Sequence, residues 1–343
     1  MASARTFVLP PGCAADSIIL SFPVAPEFSG MRLDLFVQSR IPRLSRTRAQ
    51  RIVKACAYRE DGVKRRASDI VRTGETVYIV RPPFEEPATS RELPIVYEDE
   101  AMLAIDKPPG LPVHPSASYH RNTVSFILQE RYGYADAPRI AHRLDRETSG
   151  LLLCGRTLQH ERMLKAAFEN RHMQKTYLAI VRGVLASDTG TISLSMARPD
   201  RGLHVLMVAR PDGLAAVTDY QVRDRAPEHT LVELFPRTGR QHQLRVHLSA
   251  IGHPIVGDKL YGPEREQPFL EIIEGGLTPE LEARLGHPRH ALHAHQLTFT
   301  HPLTNLPLTL EAPLSPDLVA LWSTLRGAAQ APACAIDALR AGT

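Results

Sequence analysis

Ile140-Ala141-His142-Arg143-Leu144-Asp145-Arg146-Glu147-Thr148-Ser149-Gly150-Leu151-Leu152-Leu153 is the stretch from which the rest of the sequence is best read. A carboxylate lies between two arginines, a Thr-Ser-Gly turn follows, and the leucine run then reads as a buried strand. An opposite charge nearby favours the ionised form of a carboxylate, which makes Asp145 available as a nucleophile or, less effectively, as a base. For an isolated Asp the commoner outcome is a structural Arg–Asp pair at a loop. The nonapeptide from His142 to Gly150 is too particular for that outcome to carry much weight.

That nonapeptide resembles the H-R-L-D-x-x-T-S-G signature of the RluA-type pseudouridine synthases, a family of RNA-modifying enzymes. Three further stretches are similar to motifs of the same family: Asp106-Lys107-Pro108-Pro109-Gly110 through His114-Pro115, Lys175-Thr176-Tyr177-Leu178-Ala179-Ile180-Val181, and Arg237-Thr238-Gly239-Arg240-Gln241-His242-Gln243-Leu244-Arg245-Val246-His247. The resemblance implies that Asp145 is the residue the reaction cannot lose. It also implies that Tyr177 stacks on the target base and that Arg245 forms an ion pair with Asp145. Arg143 would occupy the space left by a flipped nucleotide, and Arg240 and His242 would contact RNA. Asp106, Lys107 and Gly110 would position rather than react, and Gly257-Asp258 would close the pocket wall.

The 343 residues suffice for two or three domains. The formal charge of +4 is unevenly spread: from Arg32 to Arg72 there are twelve Lys/Arg against four Asp/Glu, more than the whole excess. A basic module on a near-neutral body suits an electrostatic grip on a polyanion. Residues 31–80 read as helix, helix, hairpin. Leu33, Phe36 and Val37 share one helical face. Ser45 is placed to cap a second helix running to about Tyr58, with Ala49, Ile52, Val53 and Cys56 inward and Arg48, Arg51 and Lys54 along another face. Asp61-Gly62 is a hairpin-type turn, Lys64-Arg65-Arg66 a basic run, and Glu75 to Val80 a strand. This pattern resembles the S4 RNA-binding domain. Arg48, Arg51, Lys54, Lys64, Arg65 and Arg66 are therefore expected to bind RNA, each phosphate contact adding salt-dependent, sequence-independent affinity.

Around that module, residues 1–30 are expected as a partly ordered arm with an edge strand from Ser17 to Phe22 ended by Pro23. A turn is expected at Ile41-Pro42-Arg43. Residues 81–93 read as a proline-stiffened linker, 94–326 as the catalytic domain and 327–343 as a frayed Ala-rich tail. Inside the catalytic domain a helix is expected from Leu158 to Asn170 with Met163, Leu164, Ala167 and Phe168 on its core face. A turn is expected at Thr189-Gly190-Thr191, and a helix ending at Gly252 with Leu244, His247, Leu248 and Ile251 on one face. His242 and His247 do not share a helical face, and His293 and His295 share a strand face with no carboxylate or thiol beside them, so zinc is not expected. Cys13, Cys56, Cys154 and Cys334 are far apart, which indicates no disulfide framework and suits a reducing cytosol. No apolar run approaches the roughly 20 residues of a membrane span, and the N-terminus makes a poor signal peptide.

By resemblance the fold is α+β: a small S4-like RNA-binding module, then a catalytic domain built on a mixed, largely antiparallel sheet with flanking helices and a central cleft. The expected protein is a cytoplasmic, monomeric RNA pseudouridine synthase acting on large-subunit ribosomal RNA, with transfer RNA as the second candidate and no obligate protein partner. Isomerisation moves neither electrons nor phosphate, and neither GxGxxG nor a P-loop is present, so no cofactor is expected. Two other readings compete. A catalytically silent RNA-binding ribosome-assembly factor is opposed by the intact Asp145, Tyr177 and Arg245. A glycosidase-like hydrolase would need a second carboxylate at defined separation, for which Glu147 is the near candidate.

Overall fold

The computed structural model describes residues 7–14, 17–41, 44–81, 86–116, 118–200, 203 and 205–327. The expected turn at Pro42-Arg43, residues 82–85 of the expected linker, and the tail from residue 328, Cys334 included, lie outside the described residues. The chain divides into two compact units, residues 1–85 and 86–343.

The first unit runs β1 (Ile18–Pro23), α1 (Leu33–Arg40), α2 (Arg46–Cys56), β2 (Ala57–Tyr58) and β3 (Thr76–Arg81), its strands forming one antiparallel sheet in the order β1-β3-β2. α2 begins where expected, because the Ser45 side chain accepts the Arg48 N–H; a cap of this kind is worth about 1 kcal/mol. Ala49 and Val53 are buried, and Val53 and Cys56 pack with Leu33, Phe36 and Val37 of α1 in one core. β1 pairs with β3 from Ile18↔Arg81 to Pro23↔Thr76, and Val24 just beyond it enters the same core. This part of the expected N-terminal arm is therefore built into the unit.

Arg48, Arg51, Lys54, Lys64 and Arg66 are exposed, and among the described residues none of them makes an ion pair. Arg65 departs from the expectation. It is 5% exposed, with its guanidinium donating to Glu75 and to the Ile70 carbonyl and lying 3.6 Å from Asp69. Backbone alternation turns the middle member of Lys64-Arg65-Arg66 inward, where it ties the hairpin together instead of meeting RNA.

The second unit runs β4 (Ile95–Glu98), β5 (Met102–Lys107), α3 (Val124–Tyr132), β6 (Arg139–Ile140), β7 (Ser149–Gly155), α4 (Leu158–Glu169), β8 (Gln174–Arg182), β9 (Thr189–Ser193), β10 (Met196–Ala197), β11 (Val208–Ala209), β12 (Val217–Arg225), β13 (His229–Pro236), α5 (Gln243–Ala250), α6 (Gln267–Gly275), α7 (Pro279–Leu285), β14 (Leu292–Thr300), β15 (Pro307–Glu311) and α8 (Pro316–Arg326). Its spine is a 10-stranded sheet in the order β4-β5-β7-β14-β8-β13-β12-β9, with β15 beside β14 and β6 beside β7. Among the described residues only β7 and β14 run parallel, so the sheet is mixed and largely antiparallel. No described helix is long and apolar enough to cross a membrane.

β7 is the centre of the unit. All seven of its residues are buried. Leu152 and Cys154 enter a core with Leu103 and Ile105, while Leu151 and Leu153 enter another with Met102, Ala104 and Leu164. A strand covered on both faces shows a continuous apolar run instead of alternation, which is how Leu151-Leu152-Leu153 arises. The parallel contact with β14 is confined to Ser149↔His293 and Gly150↔Ala294. Gly150 has φ +107°, and a Cβ there would stand 2.2 Å from the Ala294 carbonyl oxygen, so only glycine fits.

Three expectations for this unit need correction. Thr189-Gly190-Thr191 is the start of strand β9, not a turn: a Cβ on Gly190 would lie 2.5 Å from the Tyr220 ring, so the glycine serves close approach. Of the expected α4 core face only Leu164 is fully buried; Ala167 and Phe168 are partly covered and Met163 is 39% exposed. α5 is buried nearly all round, with Gln243, Arg245 and Val246 inside alongside Leu244, His247 and Leu248, whereas Ile251 lies past its end and is 37% exposed.

Candidate active site

Asp145 sits in the loop between β6 and β7, and every residue after it is tied down. Thr148 N–H donates back to the Asp145 carbonyl. The Arg146 carbonyl accepts from Gly110 N–H and from Lys107 Nζ. The Glu147 carbonyl accepts from Arg289, Thr148 Oγ1 pairs with His290 Nε2 at 2.8 Å, and Ser149 Oγ pairs with His293 Nδ1 at 2.9 Å. Lys107 is fully buried, and burial together with the nearby Arg289 pushes its pKa down to about 7. Its Nζ still donates to the carbonyls of Pro108, Leu111 and Arg146, a full set of acceptors for an ammonium group. The Pro/Gly-rich loop from Lys107 to Leu111 thus braces the Asp145 loop from behind.

Arg245 reaches Asp145 from α5. Its Nη1 donates to Asp145 Oδ2 at 3.0 Å, and its other edge makes a bidentate pair with the buried Asp258, Nε to Oδ2 at 2.7 Å and Nη2 to Oδ1 at 2.8 Å. Burial opposes the guanidinium charge, but Asp258 and then Asp145 outweigh it and hold the Arg245 pKa above its ordinary value. Asp258 Oδ1 also accepts the backbone N–H groups of Leu260 and Tyr261. The Tyr261 ring centroid lies 5.0 Å from the guanidinium carbon, and its hydroxyl bonds to His242 Nδ1 at 2.7 Å. Gly257 (φ +76°) allows the turn that delivers Asp258, since a Cβ there would meet the Arg289 carbonyl oxygen at 2.0 Å.

These groups open onto a pocket of about 210 Å³. Asp145, Tyr177 and Arg245 all line it, and so do Arg143, Arg240 and His242. The structure therefore brings the expected catalytic and RNA-contacting residues of the second unit to one cavity, whereas Gly257 and Asp258, expected to close its wall, do not line it. Tyr177, on β8, packs against two of the hydrophobic cores; burial and then the Asp145 charge push its phenol up to about 12. His242 has φ +56° at the start of α5, and its Nε2 lies 3.8 Å from Asp145 Oδ1. Burial lowers its pKa to about 4, so the ring is neutral at physiological pH.

Sequence reasoning missed the anchoring of Arg245. Asp258 was expected only as pocket wall, and Tyr261 carried no expectation. The available signal was charge parity: a buried guanidinium offers five donors, more than one carboxylate can satisfy. Glu147 pairs with Lys259 and Arg146 and does not line the pocket that holds Asp145. His293 and His295 each bond to the Ala312 carbonyl, and the fold brings Glu311 to His295 at 3.2 Å, a carboxylate the local sequence did not show. Among the described residues no three His, Cys, Asp or Glu side chains gather as a metal-binding group.

Residues 101–250 match the RNA pseudouridylate synthase family. The chain is 37% identical over 304 residues to the ribosomal large subunit pseudouridine synthase D of Xylella fastidiosa, covering 87% of this chain and 90% of that protein. It is 37% identical over 319 residues to the protein of the same description from Pseudomonas aeruginosa, covering 91% and 97%. Among solved structures, human RNA pseudouridylate synthase domain containing 4 superposes with a TM-score of 0.54 at 29% identity, covering 68% of this chain and 92% of that one. The chain belongs to the RluA-type family of RNA pseudouridine synthases. It is accordingly an isomerase.

Proposed function

We propose that the protein converts uridine to pseudouridine in large-subunit ribosomal RNA, in the cytoplasm, with Asp145 as the nucleophile or base of the reaction. The reaction breaks the C1′–N1 bond, joins C1′ to C5, releases the C5 proton and returns a proton to N1. No redox partner and no group donor enters that balance. The observation that carries the reading is the single pocket holding Asp145, its guanidinium partner Arg245 and the aromatic platform Tyr177. Base stacking on such a platform is worth about 1–3 kcal/mol. The target must first leave its helix, at a cost of a few kcal/mol. Arg143, exposed at the pocket rim, fills the vacated space, and Arg240 and His242 contact the RNA beside it. The ribosomal target is supported by relatives described as ribosomal large subunit pseudouridine synthase D.

The first unit acts as an S4-like RNA-binding module. Arg48, Arg51 and Lys54 stand along α2 with Lys64 and Arg66 on the hairpin, all exposed and, among the described residues, without an ion pair. Asp145→Asn tests the whole reading. Tritium release from RNA labelled at uridine C5 is expected to fall by at least about 10²–10⁴-fold, while RNA binding stays within twofold. Undiminished release would remove Asp145 from the chemistry. A wild-type protein that binds RNA and releases no tritium would instead favour the silent assembly factor.

A further inference from the structure

Among the described residues that line the pocket, Lys175 is the one cation without an assigned task. It stands on β8 two residues before Tyr177, so both side chains project from the same face of the sheet, about 6–7 Å apart along the strand. It lines the same cavity as Asp145 and Tyr177. Its Nζ donates a long hydrogen bond to the Thr238 carbonyl, 3.4 Å, and among the described residues no carboxylate pairs with it. An ammonium group has three donors, so two remain unspent. Burial, followed by the charge of Arg171, lowers its pKa, as expected of a cation desolvated without its counter-ion.

The charge census of the cavity says what is missing. Among the described residues Asp145 is the only carboxylate that lines it, and Asp145 is already bonded to Arg245. Arg143, Lys175 and Arg240 line it with no ion pair among the described residues. A neutral uracil carbonyl would leave that excess unbalanced; a phosphate would not. Arg143 and Arg240 sit on loops, whereas Lys175 shares a strand with the base platform and has a fixed relation to whatever is stacked there. A nucleotide's phosphate lies one sugar away from its base, on the scale of the Tyr177–Lys175 spacing.

We propose that Lys175 is a substrate-binding residue whose ammonium group takes a phosphate flanking the nucleotide seated against Tyr177. This rests on the reading of the pocket as a uridine site. The alternative for Lys175 is a purely structural tether from β8 to the Thr238 loop, and the two differ in what they do to salt dependence.

The experiment compares wild type, Lys175→Gln and Lys175→Arg in tritium release from labelled RNA over a range of salt concentrations. Lys175→Gln is expected to raise KM about three- to tenfold with kcat within twofold, and to flatten the slope of log KM against log salt by about 0.7–0.9. Lys175→Arg is expected to keep the wild-type slope. A second arm uses RNA carrying a methylphosphonate at one or the other phosphate flanking the target uridine. At one of the two positions wild type is expected to lose the same three- to tenfold, and Lys175→Gln to lose nothing further. Unchanged KM and slope in Lys175→Gln, or methylphosphonate and mutant losses that multiply at both positions, would overturn the inference. So would a loss confined to kcat, which would make Lys175 a proton carrier. Wild-type turnover on unmodified RNA is the control: if it is absent, the uridine reading fails rather than the assignment of Lys175.

Discussion

The arginines of α2 and the arginine of α5 are the same side chain put to opposite uses. Arg48 and Arg51 are exposed and, among the described residues, pair with no anion, so their charge is available to a polyanion at long range. Arg245 is buried between Asp258 and Asp145 and has no charge to spare. On the proposed reading the field in the first case supplies affinity, which salt screens and which carries no geometry. In the second the planar fork supplies geometry and is shielded from salt. Two carboxylates sharing one guanidinium also leave the cluster of three with net negative charge, so Arg245 orients Asp145 without cancelling it.

The sharpest break in this comparison is Arg245→Ala. It strands Asp258 as an unpaired buried charge, and loss of one partner from such a pair costs about 3–5 kcal/mol. Urea unfolding is expected to show that loss along with a collapse in tritium release. Arg245→Lys is expected to recover part of the stability and little of the turnover, because an ammonium lacks the fork. A smaller effect separates Arg65 from Arg51. Arg65→Ala is expected to destabilise the chain by about 1–3 kcal/mol, since it removes a buried hydrogen-bonded charge. Arg51→Ala is expected to stay within about 0.5 kcal/mol in stability and to reduce the salt slope of RNA binding by about 1. Equal behaviour of the two variants would erase the distinction between structural and RNA-facing cations.

The smallest effect is set by pH. Burial lowers His142 and His293 to about 3 and His242 to about 4, all below the ordinary value of 6.5. Between pH 6.5 and 4 the unfolded chain therefore binds more protons than the folded one, and stability falls as pH falls through that window. Going from pH 7.5 to 6.0 is expected to cost on the order of 1 kcal/mol for each of these histidines. Urea midpoints at the two pH values, repeated with His293→Gln, check the sign and the share.

The site was legible where residues of unusual chemistry cluster in sequence. Asp145, Tyr177 and Arg245 come from three separate stretches, and each stretch is distinctive enough to be read alone. The pairing of Arg245 with Asp258 was not legible, because it depends on how far the chain turns back over thirteen residues and on the space a glycine leaves at position 257. Arg65 illustrates the same limit at shorter range. Nothing in Lys-Arg-Arg says which member points inward until Glu75, just before β3, is placed as its partner. Gly190 failed for a different reason: a glycine at a turn and a glycine under a tyrosine ring look identical in sequence, and only the register of β9 against β12 separates them. For the α2 face and the leucines of β7, by contrast, local periodicity and tertiary burial agree, and both were readable from the start.

Residues 146 to 149 leave Asp145 no hinge on its C-terminal side, since Arg146 is bonded to Lys107 and the other three to Arg289, His290 and His293. On the proposed reading, Asp145 therefore does not travel toward a uridine that stays in its helix. The movement on that reading belongs to the RNA, and the work of extruding the nucleotide would be drawn from contacts made elsewhere along the strand. An enzyme built on that reading would distinguish its targets less by their letters than by how willingly each RNA gives up its shape.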